Sequence, residues 1–275
     1  SKQKTAYEIR PRDWSSDVCS SDLAEILVDA GLPEGALSVI PTSRPDADRL
    51  VDDERFKVLS FTGSPAVGWA LKSRAGKKRV LLELGGNAAC IVDESADLDW
   101  AVKRSLIGAF AYAGQVCISV QRIFVHEAVA DEFERRLVEG ASKLVLGDPA
   151  SDATDVGPLI DDGAAARTSA WVREAVESGA RLLAGGAAAD PSTPRLFRPT
   201  ILANVPREAR ICSDEAFAPV VVIERFREFD EALAAVNASR FGLQCGIFTR
   251  DLPHVRSAFA RLEVGGVIVN DRSEE

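Results

Sequence analysis

Residues 56–86, FKVLSFTGSPAVGWALKSRAGKKRVLLELGG, place two short apolar runs on either side of a helical pattern. The runs FKVLSF and RVLLEL have the length and apolar content of strands. Between them, Pro65 suits the first turn of a helix, which we predict to extend through Leu71. A strand, a helix and a second strand in this order indicate parallel α/β layers.

The rest of the chain continues this alternation. Predicted helices cover AEILVDAGL, a long segment from Asp97 or Asp99 to AYAGQVC, AVADEFERRLVEGASKL, TSAWVREAVESG, FDEALAAVNAS and a segment before GGVIVN. Predicted strands cover ALSVI, ACIVD, RIFVH, LFRPTIL, PVVVIERF and CGIFT. We place the domain boundary at the Gly85–Gly86 turn, and either aspartate could cap the long helix.

The composition is that of an acidic globular protein. The chain has 275 residues, of which 46% are hydrophobic and 27% are charged, and its formal net charge is −9. This charge disfavours a nucleic-acid partner. No apolar run has membrane-spanning length and no signal-peptide pattern is present, so we expect a cytoplasmic protein without a membrane partner. The five cysteines are dispersed and only two histidines occur, which disfavours a metal site.

The two ends differ in character from the middle. Residues 10–23, RPRDWSSDVCSSDL, lack apolar periodicity, and residues 2–9 together with 13–23 match one reading frame of a common sequencing-library adapter. Residues 272–275, RSEE, match the start of the complementary adapter. We therefore expect residues 1–23 and 272–275 to be adapter-derived, and residues 24–271 to be a biological segment cut at both ends. A polar tail is the alternative.

Two candidate sites lie at the carboxyl ends of the predicted strands FKVLSF and RVLLEL. At Phe61-Thr62-Gly63-Ser64-Pro65, a strand enters a helix through a tight turn, which leaves N–H groups at a positive helix end for an anion. An ordinary strand-to-helix turn is the alternative. At Glu83-Leu84-Gly85-Gly86, a carboxylate ends a strand before two glycines. A half-buried Glu83 would suit a general base, and a solvated strand-end glutamate is the alternative.

Two further candidates lie later in the chain. In Gly114-Gln115-Val116-Cys117, small residues before a cysteine leave room for a substrate, and a thiolate can attack a carbonyl. A buried packing cysteine is the alternative. In Asp214-Glu215-Ala216-Phe217, an extended chain would point Glu215 and Phe217 to the same side, where they could take a ribose and a flat ring. Alone, this segment is a turn before a strand.

In combination, these motifs resemble the aldehyde dehydrogenase superfamily. The order is Phe-Thr-Gly-Ser, Glu-Leu-Gly-Gly, Gly-Gln-x-Cys with Arg122, and Glu-x-Phe-x-Pro. Four other segments of the chain also resemble landmark motifs of that family: Gly147-Asp148-Pro149, Gly157-Pro158-Leu159-Ile160, Phe241-Gly242-Leu243 and Gly265-Gly266-Val267-Ile268-Val269-Asn270. The resemblance implies an α/β fold, with the C-terminal part of a Rossmann-like cofactor domain at 24–85. An α/β catalytic domain, truncated at its C-terminal end, would follow at 86–271.

The resemblance also implies the catalytic roles. Cys117 would form a thiohemiacetal with an aldehyde, hydride would pass to NAD or NADP, and a thioester would remain. Glu83 would activate the water that hydrolyses the thioester, and the backbone N–H of Cys117 would contact the oxyanion. A variant that transfers the acyl group to coenzyme A is one alternative, although Glu83 has no place in that chemistry. A fragment without turnover is another.

The cofactor-binding positions follow from the same resemblance. Gly63 and Ser64 would lie along the cofactor phosphates, and Leu84 would also contact the cofactor. Glu215 would bind the nicotinamide ribose, and Phe217 would pack beside the ring. The expected partners are a small aldehyde and further copies of the parent chain.

The chain departs from the family pattern at several points. Pro41-Thr42-Ser43-Arg44 stands where many members have a glycine-containing turn, and Ala218 replaces a common glycine. The upstream segments that supply an oxyanion asparagine and a ribose-binding lysine are not in the sequence, nor are the downstream Pro-Phe-Gly-Gly region and oligomerisation strand. The sequence therefore identifies neither the aldehyde nor the choice between NAD and NADP.

Overall fold

The described part of the chain has two compact units. The computed structural model describes residues 16–271. The units divide at the bond between Glu83 and Leu84. The first contains a two-stranded sheet and the second a seven-stranded sheet. Within residues 16–271, no helix is long and apolar enough to cross a lipid bilayer.

The first unit is built around one parallel strand pair. Its elements are α1 (Ser16–Asp29), α2 (Arg44–Asp52), β1 (Val58–Thr62), α3 (Pro65–Arg74) and β2 (Arg79–Glu83). β1 and β2 pair in parallel, with Thr62 opposite Glu83, and this confirms the two strands predicted there. α3 begins at the predicted Pro65, because proline has the φ that a first helical position needs.

Other expectations for the first unit need correction. α1 begins at Ser16 rather than Ala24, so it includes part of the stretch that we attribute to an adapter. That attribution stays a prediction, and residues 1–15 and 272–275 lie outside the described range. The predicted strand ALSVI at 36–40 is wrong, because the described residues of this unit offer it no strand partner. Instead, α2 follows, where the Ser43 side chain accepts a hydrogen bond from the Asp46 N–H.

The second unit is a mixed sheet covered by helices. Its elements are β3 (Ala88–Val92), α4 (Leu98–Phe110), β4 (Val120–His126), α5 (Glu127–Ser142), α6 (Asp162–Glu177), β5 (Arg181–Ala184), β6 (Thr200–Ala203), α7 (Arg210–Ser213), β7 (Val220–Phe226), α8 (Phe229–Asn237), β8 (Gln244–Phe248), α9 (Leu252–Arg261) and β9 (Gly266–Val269). The strand order is β5-β6-β7-β4-β3-β8-β9. All neighbours are parallel except β5 and β6. The sequence analysis missed β5, a short strand without buried residues.

The core of this unit lies on both faces of the sheet. Alternate side chains of β3 point to opposite faces. Cys90 and Val92 belong to one buried cluster with residues of α4 and α5. Ala89 and Ile91 belong to another with residues of α8 and α9. Because helices cover both faces, β3 is buried throughout, as expected for a central parallel strand.

The end of α4 differs from the prediction and determines where the cysteine lies. Asp97 caps the helix by accepting a hydrogen bond from Trp100 N–H, which settles the choice between the two aspartates. The helix ends at Phe110 rather than continuing to Cys117. Tyr112 and Ala113 have φ values of 53° and 56°, which a right-handed helix cannot accommodate. Cys117 therefore lies in a turn between α4 and β4.

Candidate active site

The loop that carries Cys117 is fixed by its neighbours in the second unit. Gly114 has a φ of 69°, and a Cβ there would lie 2.1 Å from the carbonyl oxygen of Ala218. The Gln115 amide donates to the Pro158 carbonyl at 3.3 Å and accepts from Ile160 N–H at 2.8 Å. These contacts explain why the motif has a glycine at position 114 and a glutamine at position 115. The side chain of Cys117 is partly buried.

The two glycines after Leu84 pack closely against Cys117 and Glu215. A Cβ on Gly86 would lie 1.9 Å from the carbonyl oxygen of Cys117, so only glycine fits there. A Cβ on Gly85 would lie 2.3 Å from Oε2 of Glu215. The backbone at 85–86 therefore packs against both Cys117 and Glu215. Three motifs that are distant in sequence meet at this point.

Glu215 is held at the glycine pair by a hydrogen bond. Its Oε1 accepts from the Gly86 N–H at 2.8 Å. Burial raises the pKa of this carboxyl group, while the Gly86 N–H and the positive charge of Arg167 oppose the shift. A carboxylate in this position can accept further hydrogen bonds from a ligand hydroxyl group.

Phe217 does not have the backbone that the sequence analysis assumed. Its φ is 47°, and residues 214–219 form no strand, so the alternation of an extended chain does not apply to Glu215 and Phe217. The Phe217 side chain is 38% exposed. An exposed aromatic ring two residues from a half-buried carboxylate offers a surface for a flat ligand group.

The remaining candidates lie in the first unit. The N–H of Gly63 donates to the carbonyl of Glu83 at 3.0 Å, which joins the turn to the end of β2. Ser64 is the N-cap of α3, but its side chain makes no capping hydrogen bond, and the first turn contains no acidic residue. Such a helix end can receive an anion. Glu83 is exposed rather than half-buried, because no residue of β2 is buried and alternate residues of this strand, at 79, 81 and 83, are all exposed.

The sequence analysis missed two buried amides at the same place. Asn87 and Gln121 are 3% and 4% exposed, and both bind the backbone of the segment that carries Glu215. Their sequence context gave no signal, because the backbone partners of these amides are distant in sequence and become neighbours only after folding. Within the described residues, no group of three or more His, Cys, Asp or Glu could hold a metal ion.

Comparison with known proteins identifies this arrangement. The model of the aldehyde dehydrogenase family matches residues 9–275. This chain belongs to the aldehyde dehydrogenase family. The fold class predicted from the sequence is thereby confirmed, including its parallel-dominated sheet.

Individual aldehyde dehydrogenases are similar over most of the chain. The 3-sulfolactaldehyde dehydrogenase of Priestia aryabhattai is 43% identical over 257 residues, covering 93% of this chain and 53% of that protein. Aldehyde dehydrogenase 21 of Physcomitrella patens, solved with the product succinate, has a TM-score of 0.89 and 45% identity, covering 93% of this chain and 53% of that one.

A third relative was solved with a cofactor. The glyceraldehyde-3-phosphate dehydrogenase of Methanocaldococcus jannaschii, complexed with NADP, has a TM-score of 0.86 and 38% identity. The alignment covers 94% of this chain and 57% of that one. The chain spans about half the length of the curated relatives it matches.

Proposed function

We propose that this chain is part of a longer NAD- or NADP-dependent aldehyde dehydrogenase, here called the parent protein, which oxidises an aldehyde to a carboxylate. The observation that carries the proposal is the convergence of Gly86, Cys117 and Glu215 in the second unit. A candidate nucleophile and a candidate ribose-binding carboxylate thereby contact the same two-glycine turn. Family membership supports the same reaction class.

Cys117 is the proposed nucleophile. Its thiolate attacks the aldehyde carbon, a C–S bond forms, and the carbonyl oxygen becomes the oxyanion of a thiohemiacetal. The backbone N–H of Cys117 stabilises this oxyanion. A dinucleotide, when bound, would supply the acceptor for the hydride that leaves this carbon, and a thioester would remain on the sulfur.

Glu83 is the proposed general base for the second half of the reaction. Its carboxylate takes a proton from water, and the resulting hydroxide attacks the thioester carbon. The C–S bond breaks, the thiolate of Cys117 is restored, and the carboxylic acid leaves and releases its proton to solvent as the carboxylate product. Glu83 is exposed, as in the solvated strand-end alternative, so the role of general base is proposed from the family resemblance.

The residues present fit a dinucleotide. Glu215 is half-buried with one oxygen on the Gly86 N–H, which leaves acceptor capacity for ribose hydroxyl groups. Phe217 offers an exposed ring face nearby in sequence. Gly63 and Ser64 open α3, whose first-turn N–H groups lack intrahelical partners and suit a phosphate. Leu84, directly before the glycine pair, is proposed to contact the cofactor too.

The cofactor, cellular location and oligomeric state of the parent protein are also proposed. NADP is named for the Methanocaldococcus jannaschii relative and for a succinate-semialdehyde dehydrogenase of Escherichia coli. A cytoplasmic location and a homo-oligomeric parent remain predictions. The aldehyde itself stays open.

Replacement of Cys117 tests the proposal. In the parent protein, Cys117→Ser should abolish aldehyde oxidation while dinucleotide binding persists, because a hydroxyl without an adjacent base is a far weaker nucleophile than a thiolate. Cys245→Ala is the control, since this fully buried thiol has a pKa raised by burial to about 12 and is chemically inert. Near-normal turnover of Cys117→Ser would refute the proposal.

A further inference from the structure

A six-residue segment, 211–216, presents Glu215 to the glycine pair. It runs from α7 into an irregular stretch before β7. The Asp214 N–H still donates to the Arg210 carbonyl as the C-cap of α7, but from Glu215 to Ala218 neither a helix nor a strand ladder fixes the backbone. Something else must hold it, since unpaired backbone groups are costly inside a protein.

Gln121 binds this segment through both ends of its amide. Its Nε2 donates to the carbonyl of Ile211 at 2.8 Å and to that of Asp214 at 2.7 Å. Its Oε1 accepts from the N–H of Ala216 at 2.9 Å. Asp214 and Ala216 are the two neighbours of Glu215, so this one side chain fixes the peptide groups on both sides of the carboxylate.

Asn87, the residue before β3, binds the same segment. Its Nδ2 donates to the carbonyls of Cys212 and Asp214, each at 3.0 Å. Asn87 directly follows Gly86, whose N–H binds the Glu215 carboxylate. The glycine turn and the 211–216 segment are therefore joined through both the Glu215 side chain and its backbone.

A strand irregularity brings Gln121 into this position. β3 and β4 pair with Ala88 opposite Val120 and Ala89 opposite Arg122, so Gln121 is an extra residue without a partner on β3. Such bulges redirect a side chain and often lie beside active sites. Arg122, also buried, donates to the Asn87 carbonyl at 3.3 Å and anchors that residue.

We propose that Asn87 and Gln121 are positioning residues, which set the Glu215 carboxylate for the nicotinamide ribose without touching the cofactor. This inference rests on the proposed function, in which Glu215 binds that ribose. It predicts that loss of either amide weakens binding of the nicotinamide half of the dinucleotide selectively. A purely structural role would weaken all ligands alike.

The first test measures the local structure in the 275-residue chain. Gln121→Met keeps the length and burial of the side chain but removes three hydrogen bonds, and Asn87→Asp removes two donors without changing size. In Gln121→Met, hydrogen exchange should accelerate at the backbone amides of Gly86 and Ala216. In Asn87→Asp, it should accelerate at the backbone amide of Gly86. Leu137→Ala, which removes a fully buried side chain of α5, is the control for a general loss of stability. If hydrogen exchange at the Gly86 and Ala216 backbone N–H groups stayed unchanged in both Gln121→Met and Asn87→Asp, the inference would be overturned.

The second test measures binding in the parent protein by calorimetry. For either amide variant, we expect the Kd of NAD(P)⁺ to rise about tenfold while that of ADP changes less than about twofold. Equal losses for NAD(P)⁺ and ADP, matching those of Leu137→Ala, would assign the amides a structural role and overturn the inference.

Glu215→Gln separates failure of the inference from failure of the proposed function. If this variant weakens NAD(P)⁺ binding but the amide variants do not, the proposed function stands and the positioning role fails. If Glu215→Gln leaves NAD(P)⁺ binding unchanged, the ribose-binding assignment fails and the inference fails with it.

Discussion

Glu83 and Glu215 show how the same side chain acquires different properties in two surroundings. Glu215 is half-buried and bound to the Gly86 N–H, and burial raises its pKa. Glu83 ends an exposed strand. A carboxylate that binds a ligand gains from being fixed, as Glu215 is. Glu83 instead has the surroundings of the solvated strand-end alternative, and its role as general base is a proposal from the family resemblance.

Replacement of Glu83 should separate the two halves of the reaction. In the parent protein, Glu83→Gln should slow thioester hydrolysis by about 10²–10⁴ and leave hydride transfer less affected, because loss of a general base typically costs this much. Rapid-mixing absorbance should show a burst of reduced cofactor followed by a stall. The exposed Glu177→Gln, at the end of α6, is the matched control.

Two other outcomes would change the assignment of Glu83. If burst and steady state fell together, Glu83 would act before the thioester forms, for example on the thiol of Cys117. If coenzyme A restored turnover in the variant, the parent protein would be of the acylating type.

At the scale of elements, the glycine turn is where the motifs join. We expect Gly86→Ala to lower the stability of the second unit by about 1–3 kcal/mol, because the new Cβ would meet the Cys117 carbonyl and force the backbone apart. In the parent protein it should also abolish oxidation. Urea denaturation and a turnover assay would check both.

Gly266→Ala provides the comparison for that variant. Its nearest contact would be 3.5 Å, an ordinary van der Waals distance, and its φ is not in the left-handed region. If Gly86→Ala and Gly266→Ala lowered the stability equally, close packing at the glycine turn would not be the cause of the loss.

A second junction of elements depends on pH. Asp93, at the end of β3, is 2% exposed; its Oδ2 accepts from the hydroxyls of Ser95 and Thr249, each at 2.7 Å, and lies 3.3 Å from Nδ1 of His254 on α9. Burial alone would raise the pKa of Asp93, but these three partners together lower it. The carboxylate thus links β3, β8 and α9.

Asp93→Asn should therefore destabilise the chain in a pH-dependent way. Because the folded-state pKa is lowered, the contribution of this carboxylate is present above the unfolded value of about 4 and is lost as the pH falls through the folded value. At pH 7 we expect a loss of about 1.5–3 kcal/mol, typical of hydrogen bonds to a charged group. In denaturation measurements, the difference in free energy of unfolding between the wild type and the variant should be smaller at pH 3 than at pH 7. A constant difference across this range would contradict the prediction.

The sequence predicted elements best where a local signal existed. Pro65 and Asp97 marked helix starts correctly, because capping and proline geometry act within one turn. The end of α4 was missed, since left-handed φ values at Tyr112 and Ala113 depend on tertiary contacts. The prediction of a strand at 36–40 was wrong because a strand needs a hydrogen-bonded partner strand, which the described residues of the first unit do not offer it. The contacts among Gly86, Cys117 and Glu215 could be inferred only through the family resemblance, and the assigned roles and the domain division stay predictions.

At the scale of the whole molecule, the two units differ in how well they bury apolar surface. The second has three buried clusters. In the first, Val58, Trp69 and Leu81 are 53%, 57% and 62% exposed, and its sheet has two strands. An isolated two-stranded sheet is marginally stable in water, and exposed apolar patches promote association. The first unit should therefore open before the second.

The 275-residue chain, made as printed, should consequently show no aldehyde dehydrogenase activity although it contains Cys117 and Glu83. The apolar residues exposed on the first unit should make it poorly soluble, and a cofactor surface built on a marginal two-stranded sheet should not bind NAD or NADP saturably. Fluorescence titration with both dinucleotides and a turnover assay on several aldehydes would measure this. Hydrogen exchange should show residues 58–83 exchanging faster than β3 and β4. Saturable binding with turnover would show that this half of the relatives' length is sufficient, and equal protection of the two units would show that the exposed faces of β1 and β2 cost little stability.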